Sequence, residues 1–367
     1  MRVHELFKDY TKTIDGEMCY FAGLPGYPRN FSRDTLIAGI IAADRHLLDN
    51  QLTMSSRHQG TKYDPLTGEE PGKIHHEWEG VIVRDPYYTT YNACDTTGLY
   101  LTGLEILEQL GGASSETVES RRKNIESALD YIQDHTRNGI FWEYPPEGST
   151  NYSLRVTNWK DSVLPIGPEK VEPRYPASYA IAHFQNARGV LAAGNLLDSN
   201  ELRQSAHDMF VKGIGKFIVD RTFIVMEDND GNLEQSSSDE LHSLAYIPKT
   251  YRDQLPLDAI RQRADSLITD AGIACTPADI SAKLTDTYHG NVVWMFEQAL
   301  IHYGASKFGM NDVADITKRC IPHIGSGQEL VDVLPTIQPR GNGRQLWSVA
   351  AKIYFSDEPS LRQTDLL

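Results

Sequence analysis

The chain has 367 residues and carries 35 Lys and Arg against 50 Asp and Glu, a net charge of −15. That length allows one large domain or two ordinary ones. The acidic balance argues against a nucleic-acid partner, which needs clustered Lys and Arg, and against an anionic membrane surface, and it suits an uncharged substrate such as a sugar.

In chain order, hydrophobic periodicity predicts helices over 2–13, 34–48, 50–59, 95–110, 116–135, 176–197, 200–220, 239–247, 256–270, 291–308, 311–323 and 343–355. Segments such as 34–48 (DTLIAGIIAADRHLL) and 176–197 are apolar nearly all round and should be buried on most sides. They alternate with charged, amphipathic segments such as 116–135, 200–220 and 256–270. A toroid of inner helices, each followed by an outer one, produces this alternation. A helical solenoid is the competing arrangement, but no motif repeats at a fixed period. The expected fold is therefore all-α, a single domain over 1–367. Strands are expected only as short hairpins in loops, at 140–143 (GIFW) and 222–226 (TFIVM).

Long connections run over 60–94, 138–175, 226–238, 272–290 and 324–342. In a toroid they would share one face. They exceed the ~12–15 residues usual for structureless loops, and they hold Trp, Tyr, His and Glu rather than Ser/Gly filler, which points to function.

Cys19, Cys94, Cys275 and Cys320 are scattered, with no Cys-x-x-Cys or Cys/His zinc spacing. They read as buried free thiols of a reducing compartment. The start, MRVHELFKDYTK, lacks an apolar signal core, and no apolar run approaches the ~20 residues of a membrane span. A cytoplasmic protein is expected, unless a leader has been removed.

Five stretches concentrate groups that can do chemistry. In PRNFSRDTLIAG (28–39), Arg33 and Asp34 open a buried helix. Asp34 is either a cap or, with Arg33, half of a charged pair that grips hydroxyls. GEEPGKIHHEWEG (68–80) brings His75, His76 and Glu77 together at poor spacing for a metal, so a hydroxyl-recognising loop is expected and no metal site. TNWKDSVLP (157–165) packs Trp159, Lys160 and Asp161 into consecutive positions. YHGNVVW (288–294) brings Tyr288, His289 and Trp294 to the start of an apolar helix, and GSGQELVDV (325–333) sets Glu329 in a Gly-rich loop. No phosphate loop, dinucleotide fingerprint or GxSxG elbow occurs, so no cofactor is expected. What remains is a set of carboxylates, aromatics and arginine on loops. Two carboxylates with aromatic platforms suit glycoside hydrolysis, one protonated to assist the leaving oxygen and one ionised to activate water.

Taken in order, these motifs resemble those of bacterial amylo-α-1,6-glucosidases, the glucosidase part of glycogen-debranching enzymes. FSRDTLIAG is similar to that family's FGRDS/T segment, GEEPGKIHHEWEG to EEPGKI-HE-R, and YYTTYNACDTTGLYL to YYGS-DATPLFL. NWKDS is similar to GWKDS, and ELVDV…RQLWSVAA to EL…QAWSVA. The resemblance spans residues ~20–355, and related glucoamylases and mannosylglycerate-type hydrolases share part of the pattern.

The resemblance implies an (α/α)6 barrel, a six-hairpin toroid, and an inverting hydrolase that releases a terminal α-linked sugar, glucose in the first instance. It puts Asp161 in the place of the general acid and Glu329 in that of the general base. Arg33 and Asp34 match the pair that grips the terminal sugar. His76, Glu77, Trp159, Lys160, Gln185, His289 and Trp294 match or neighbour pocket-lining positions. For Asp161 to hold a proton, Lys160 should point away from its carboxyl or towards sugar hydroxyls. Glu329 should stand about 6.5–9.5 Å from Asp161.

The chain departs from the family at His183-Phe184-Gln185-Asn186-Ala187, where Glu-Val-Gln-Gly-Tyr is common, and at Met295-Phe296, where Pro-His is common. These departures favour a small oligosaccharide or glucoside over a polymer. Hydrolysis of a compatible solute such as mannosylglycerate or glucosylglycerate is the next reading. It needs a cation for the glycerate carboxyl, with Arg174, Lys160 or Arg344 as candidates. A polysaccharide lyase would need a basic groove, against the acidic composition. A sugar-binding protein with an inactive site is the non-enzyme alternative.

Overall fold

The structure, a computed structural model, describes residues 6–14, 16–111, 115–145, 147–149, 151–162, 172–356, 358–364 and 367. The end of the TNWKDSVLP stretch, 163–165, lies outside the described residues.

Helix is the main secondary structure of the described chain. We number the main helices α1 (Ser32–Ala42), α2 (Arg45–Arg57), α3 (Thr96–Gln109), α4 (Arg122–Asp134), α5 (Ala180–Leu196) and α6 (Asn200–Phe217). They continue with α7 (Ser238–Ser243), α8 (Leu257–Ala264), α9 (Met295–Lys307), α10 (Asn311–Thr317) and α11 (Leu346–Phe355). Every residue of α1 is buried, Arg33 and Asp34 included. In α4, by contrast, only Ile125, Ala128, Tyr131 and Ile132 are buried, the one-faced stripe of an amphipathic helix.

The buried helices pack in a cycle: α1 on α3, α3 on α5, α5 on α7, α7 on α9, α9 on α11, and α11 back on α1. The amphipathic helices pack outside them, α2 on α1 and α3, α4 on α3 and α5, α6 on α5, α8 on α7, and α10 on α9. The alternation in the sequence thus has a direct physical reading. A helix with neighbours on both sides is buried all round, and one with a wet face needs only a stripe; α7 is buried with a polar composition, Ser238, Asp239, Glu240, His242 and Ser243 included.

The elements differ from the sequence reading in several places, among them the segment 116–135, which is two helices, Ser115–Ser120 and Arg122–Asp134. The segment 34–48 is not one helix. Ala43 adopts φ +48, and Asp44 caps a new helix by accepting the Leu47 N–H at 2.8 Å. Of the helix expected over 2–13, residues 2–5 lie outside the described residues; 6–7 are helical, a 3-10 turn follows at Lys8–Tyr10, and the helix ends there. The β-branched stretch Thr11–Ile14 then pairs with Glu17–Tyr20 as a hairpin.

Strands are also more numerous than expected. Two- to seven-residue strands join the helices in small antiparallel sheets, too short to show a period. Two of them matter for function. Asn30–Phe31 pairs with Glu77–Trp78, which holds the 68–80 loop against the start of α1. Val292–Trp294 pairs with Leu330–Asp332, and that strand with Gln338–Arg340, which holds Glu329 beside the start of α9.

The four cysteines are free and buried. No helix among the described residues is long and apolar enough to cross a membrane.

The cycle closes tightly at α3 and α5. A Cβ on Gly98 would lie 2.5 Å from the Gln185 carbonyl oxygen and 2.6 Å from the Asn186 Cα, and one on Gly189 would lie 2.7 Å from the Gly98 Cα. These neighbours are backbone and cannot swing aside. Gly98→Ala should therefore lower the free energy of unfolding by about 1–3 kcal/mol in a denaturant titration, as overpacked sites do. Gly215→Ala, on α6 with nothing within 4 Å, should not.

Candidate active site

The starts of the buried helices and the loops between them surround a cavity of about 200 Å³. Its wall carries Arg33, Asp34, His76, Glu77, Trp159, Asp161, His289, Trp294 and Glu329. Tyr27, Arg29, Tyr288, Gln345 and Trp347 complete its polar and aromatic lining.

Arg33 is 3 % exposed. Its Nε donates to Asp95 Oδ2 at 2.7 Å, and Nη2 donates to the Thr157 carbonyl at 3.0 Å. Nη1 lies 3.5 Å from Asp161 Oδ2. Burial works against the guanidinium charge, and Asp95 and Asp161 more than restore it. Asp34 is not a helix cap. It lies within the first turn of α1, and its Oδ1 accepts the Gln345 side-chain N–H at 3.1 Å. Burial pushes its carboxyl up to about 8, against the pull of Arg33 and with a further push from Glu329 and Asp161.

Asp161 faces the cavity with 29 % of its side chain open. Burial pushes its carboxyl up to about 7; Arg33 opposes this, and the negative charge of Asp95 supports it. Glu329 is 1 % exposed. Burial raises its carboxyl too, but two donors pull the other way: the Tyr288 hydroxyl on Oε1 and the Asn342 N–H on Oε2 at 2.5 Å. Tyr27 extends this chain, its hydroxyl 3.0 Å from that of Tyr288. Gly341 is required here: it has φ +76, and a Cβ on it would collide with Glu329 Oε2.

Glu77 accepts from Arg29 Nε at 2.7 Å and from the Thr89 hydroxyl. His76 and His289 are held neutral, their basicity suppressed by burial first and by nearby cations second. His289 Nδ1 meets Ser162 Oγ at 2.8 Å, and its ring stacks on Trp294 at 5.1 Å. Phe296, at one of the positions where the chain departs from the debranching pattern, stacks on Trp347 at 3.8 Å.

Two of the residues named from sequence do not line the cavity. Lys160 turns away from Asp161. Its Nζ donates to Ser237 and Ser238 Oγ, both at 2.9 Å, and lies 3.2 Å from Asp239 Oδ1. Gln185 is fully buried in α5, where the ring helices pack on one another. The cations considered for a carboxylated substrate also lie elsewhere. Arg174 pairs with Asp230 and Arg344 with Asp9.

Tyr27, Arg29, Gln345 and Trp347 are lining residues that the sequence reading did not single out. Trp347 and Gln345 lay within the RQLWSVAA motif; Tyr27 and Arg29 gave no signal of their own. Among the described residues, one trio could approach a metal ion: Asp239, His242 and Glu297 bring ligand atoms within 4.8 Å of one another. The Lys160 ammonium already supplies a cation there.

No family model matches this chain, and no curated protein matches it. Solved structures do. A GH63 mannosylglycerate hydrolase from Thermus thermophilus, in complex with Tris and D-glycerate, superposes with a TM-score of 0.66 at 12% identity, covering 96% of this chain and 98% of that one. A glycosidase gives 0.62 at 15% identity, over 96% and 93%. A D-mannose isomerase gives 0.59 at 9% identity, over 96% and 94%. At these identities the likeness establishes a shared fold.

The raised carboxyl of Asp161 has a measurable cost. In the unfolded chain an Asp ionises near 3.9, so the folded state is favoured below that pH and loses this advantage as pH climbs through about 7. Asp161→Asn removes the dependence. The stability of the variant relative to wild type should rise between pH 5 and pH 8 by on the order of 2 kcal/mol in urea titrations. A difference that stays flat with pH would show that Asp161 is not held protonated.

Proposed function

We propose that the protein is an inverting, exo-acting glycoside hydrolase with an (α/α)6 toroid, removing one terminal α-linked sugar from a small glycoside. The observation that carries this reading is the presence of Asp161 and Glu329 on the wall of one cavity, the first loosely paired with a cation and the second held by two direct hydrogen-bond donors. Asp161 is pushed up to about 7 mainly by burial, so near neutral pH it can keep a proton to give. Glu329 is held by two hydrogen-bond donors that favour its ionised form.

Each group then has one task. Asp161 donates its proton to the glycosidic oxygen as the C1–O bond breaks. Glu329 takes a proton from a water that attacks C1 from the opposite face. The products are the free aglycone and a sugar of inverted configuration. Asp34, Arg33 and Gln345 offer an acceptor and donors for hydroxyls of the sugar bound between the carboxylates. Trp159, Trp294 and Trp347 offer apolar walls for its C–H faces. The cavity of about 200 Å³ lies below the ~300–1,000 Å³ typical of sites for drug-sized ligands, which favours a single sugar ring over a polymer. Glucose is the first sugar to test; mannose is the second, given the mannosylglycerate hydrolase among the similar structures.

The test is release of free sugar from isomaltose, maltose, glucosylglycerol, glucosylglycerate and mannosylglycerate, with the first-formed anomer read by NMR. Asp161→Asn and Glu329→Gln should each lower kcat by about 10²–10⁴-fold, with KM little changed. Activity should fall on the alkaline side as Asp161 loses its proton around 7, and on the acid side as Glu329 gains one. Retention of configuration would remove Glu329 from the role of general base. Ketose formation from free mannose without hydrolysis would replace the reading by isomerisation. Binding without turnover would leave a sugar-binding protein.

A further inference from the structure

Behind the wall formed by Trp159, three side chains converge that the proposed reaction does not use. Asp239 and His242 stand three positions apart on α7 and so share one of its faces. Glu297 lies in the first turn of α9, which packs on α7. All three are buried, His242 and Glu297 completely, and none is part of the sugar-cavity wall. One oxygen or nitrogen from each lies within 4.8 Å of the other two.

His242 is the unusual member. Its ring is boxed by Trp159, Tyr246 and Phe296, at centroid distances of 5.8, 5.7 and 6.0 Å. Neither ring nitrogen has a hydrogen-bond partner among the described residues. A buried polar atom left without a partner is rare and points to a water or an ion. Nδ1 stands 3.6 Å from Glu297 Oε1. That is longer than the ~2.7–3.2 Å of an N–H···O hydrogen bond. It fits two ligands of one ion, since atoms about 2.0–2.2 Å from a tetrahedral zinc lie about 3.3–3.6 Å apart.

The two carboxylates are oriented but not saturated. Asp239 Oδ1 accepts from Trp159 Nε1 at 2.8 Å and lies 3.2 Å from Lys160 Nζ, while Oδ2 is buried without a partner. Glu297 accepts the Ser238 hydroxyl on Oε1 at 2.6 Å, and the Cys275 thiol lies 3.6 Å from Oε2. Among the described residues, one ammonium, that of Lys160, serves both buried carboxylates, and it reaches Glu297 only at longer range. A buried carboxylate short of a cation is costly.

We propose that Asp239, His242 and Glu297 bind one divalent transition-metal ion of the zinc type, a structural ion that clamps α7 to α9 behind Trp159. One imidazole nitrogen with two carboxylate oxygens suits Zn²⁺ or Co²⁺ better than Mg²⁺, which prefers oxygen ligands in an octahedron. Through the bond from Trp159 to Asp239, the ion also steadies the indole that forms part of the cavity wall. The inference does not depend on the hydrolase reading.

The test uses the full chain, produced in medium supplemented with zinc or with cobalt, with bound metal measured by mass spectrometry. About one ion per chain is expected, and the cobalt form should show the intense visible bands of a four-coordinate ion. Chain unfolded with a chelator and refolded without metal should unfold several degrees lower than chain refolded with zinc, and magnesium should not restore the difference. His242→Gln and Glu297→Gln should each lose the stoichiometric metal and the zinc-dependent shift. His207→Gln, on α6, should keep both.

No metal above trace in either preparation would overturn the inference and leave a water or a proton as what His242 holds. Full metal content in either ligand variant, or the weak spectrum of six-coordinate cobalt, would overturn it too. Where a variant fails to fold, the cobalt spectrum and the zinc-dependent shift of the wild type still decide.

Discussion

The candidate site is organised by the buried guanidinium of Arg33. Removing an arginine from water is costly unless carboxylates and carbonyls replace the lost hydration. Here Asp95 takes Nε, the Thr157 carbonyl takes Nη2, and Asp161 stands at 3.5 Å from Nη1. Arg33 belongs to α1, Asp95 immediately precedes α3, and Thr157 and Asp161 belong to the long loop ahead of α5. One side chain therefore ties three consecutive sectors of the helical cycle together at the cavity wall. It does so at a distance that leaves Asp161 only loosely paired. A close, two-point pairing of Arg33 with Asp161 would hold the acid ionised. Directing the strongest hydrogen bond to Asp95 avoids that while keeping Asp161 oriented.

Glu329 is built by different means. Its backbone is fixed by a sheet: its carbonyl accepts the Met295 N–H at 3.3 Å, its own N–H reaches the Asn342 carbonyl, and the strand that follows it pairs with Val292–Trp294. Its carboxylate is fixed by Tyr288 and by the Asn342 N–H, with Gly341 leaving the room. In the proposed reaction the acid must keep its proton and the base must lose one. Asp161 meets a cation at arm's length in a buried site, whereas Glu329 meets two direct donors. The two carboxyls thus differ in how they are paired, loosely for Asp161 and directly for Glu329, although burial raises both.

The sequence makes the helices legible because burial writes itself into composition. Ser32–Ala42 is apolar all round since it has neighbours on every side, and Arg122–Asp134 is striped since it has one wet face. It hides the small strands, because a two-residue pair such as Asn30–Phe31 with Glu77–Trp78 has no period to detect. The motif residues Asp161, Glu329, Arg33 and Asp34 could be named because they sit in short, ordered stretches with a resemblance behind them. Tyr27 and Arg29 could not, since each reaches the cavity only through the turn ahead of α1. The cations considered from the sequence could not be placed by it either: Arg174 and Arg344 pair with Asp230 and Asp9, contacts between residues far apart that only the folded chain brings together.

The order Trp159-Lys160-Asp161 has its own logic. Neighbouring side chains leave the backbone in different directions. Trp159 and Asp161 both line the cavity, while Lys160 runs to the opposite side and into the Ser237, Ser238 and Asp239 cluster. Trp159 Nε1 donates to the same Asp239 at 2.8 Å, so one carboxylate anchors both the aromatic wall and the lysine. An ammonium on the cavity side would draw the Asp161 proton off. Held behind the wall and paired with Asp239, it instead anchors the loop that carries Asp161.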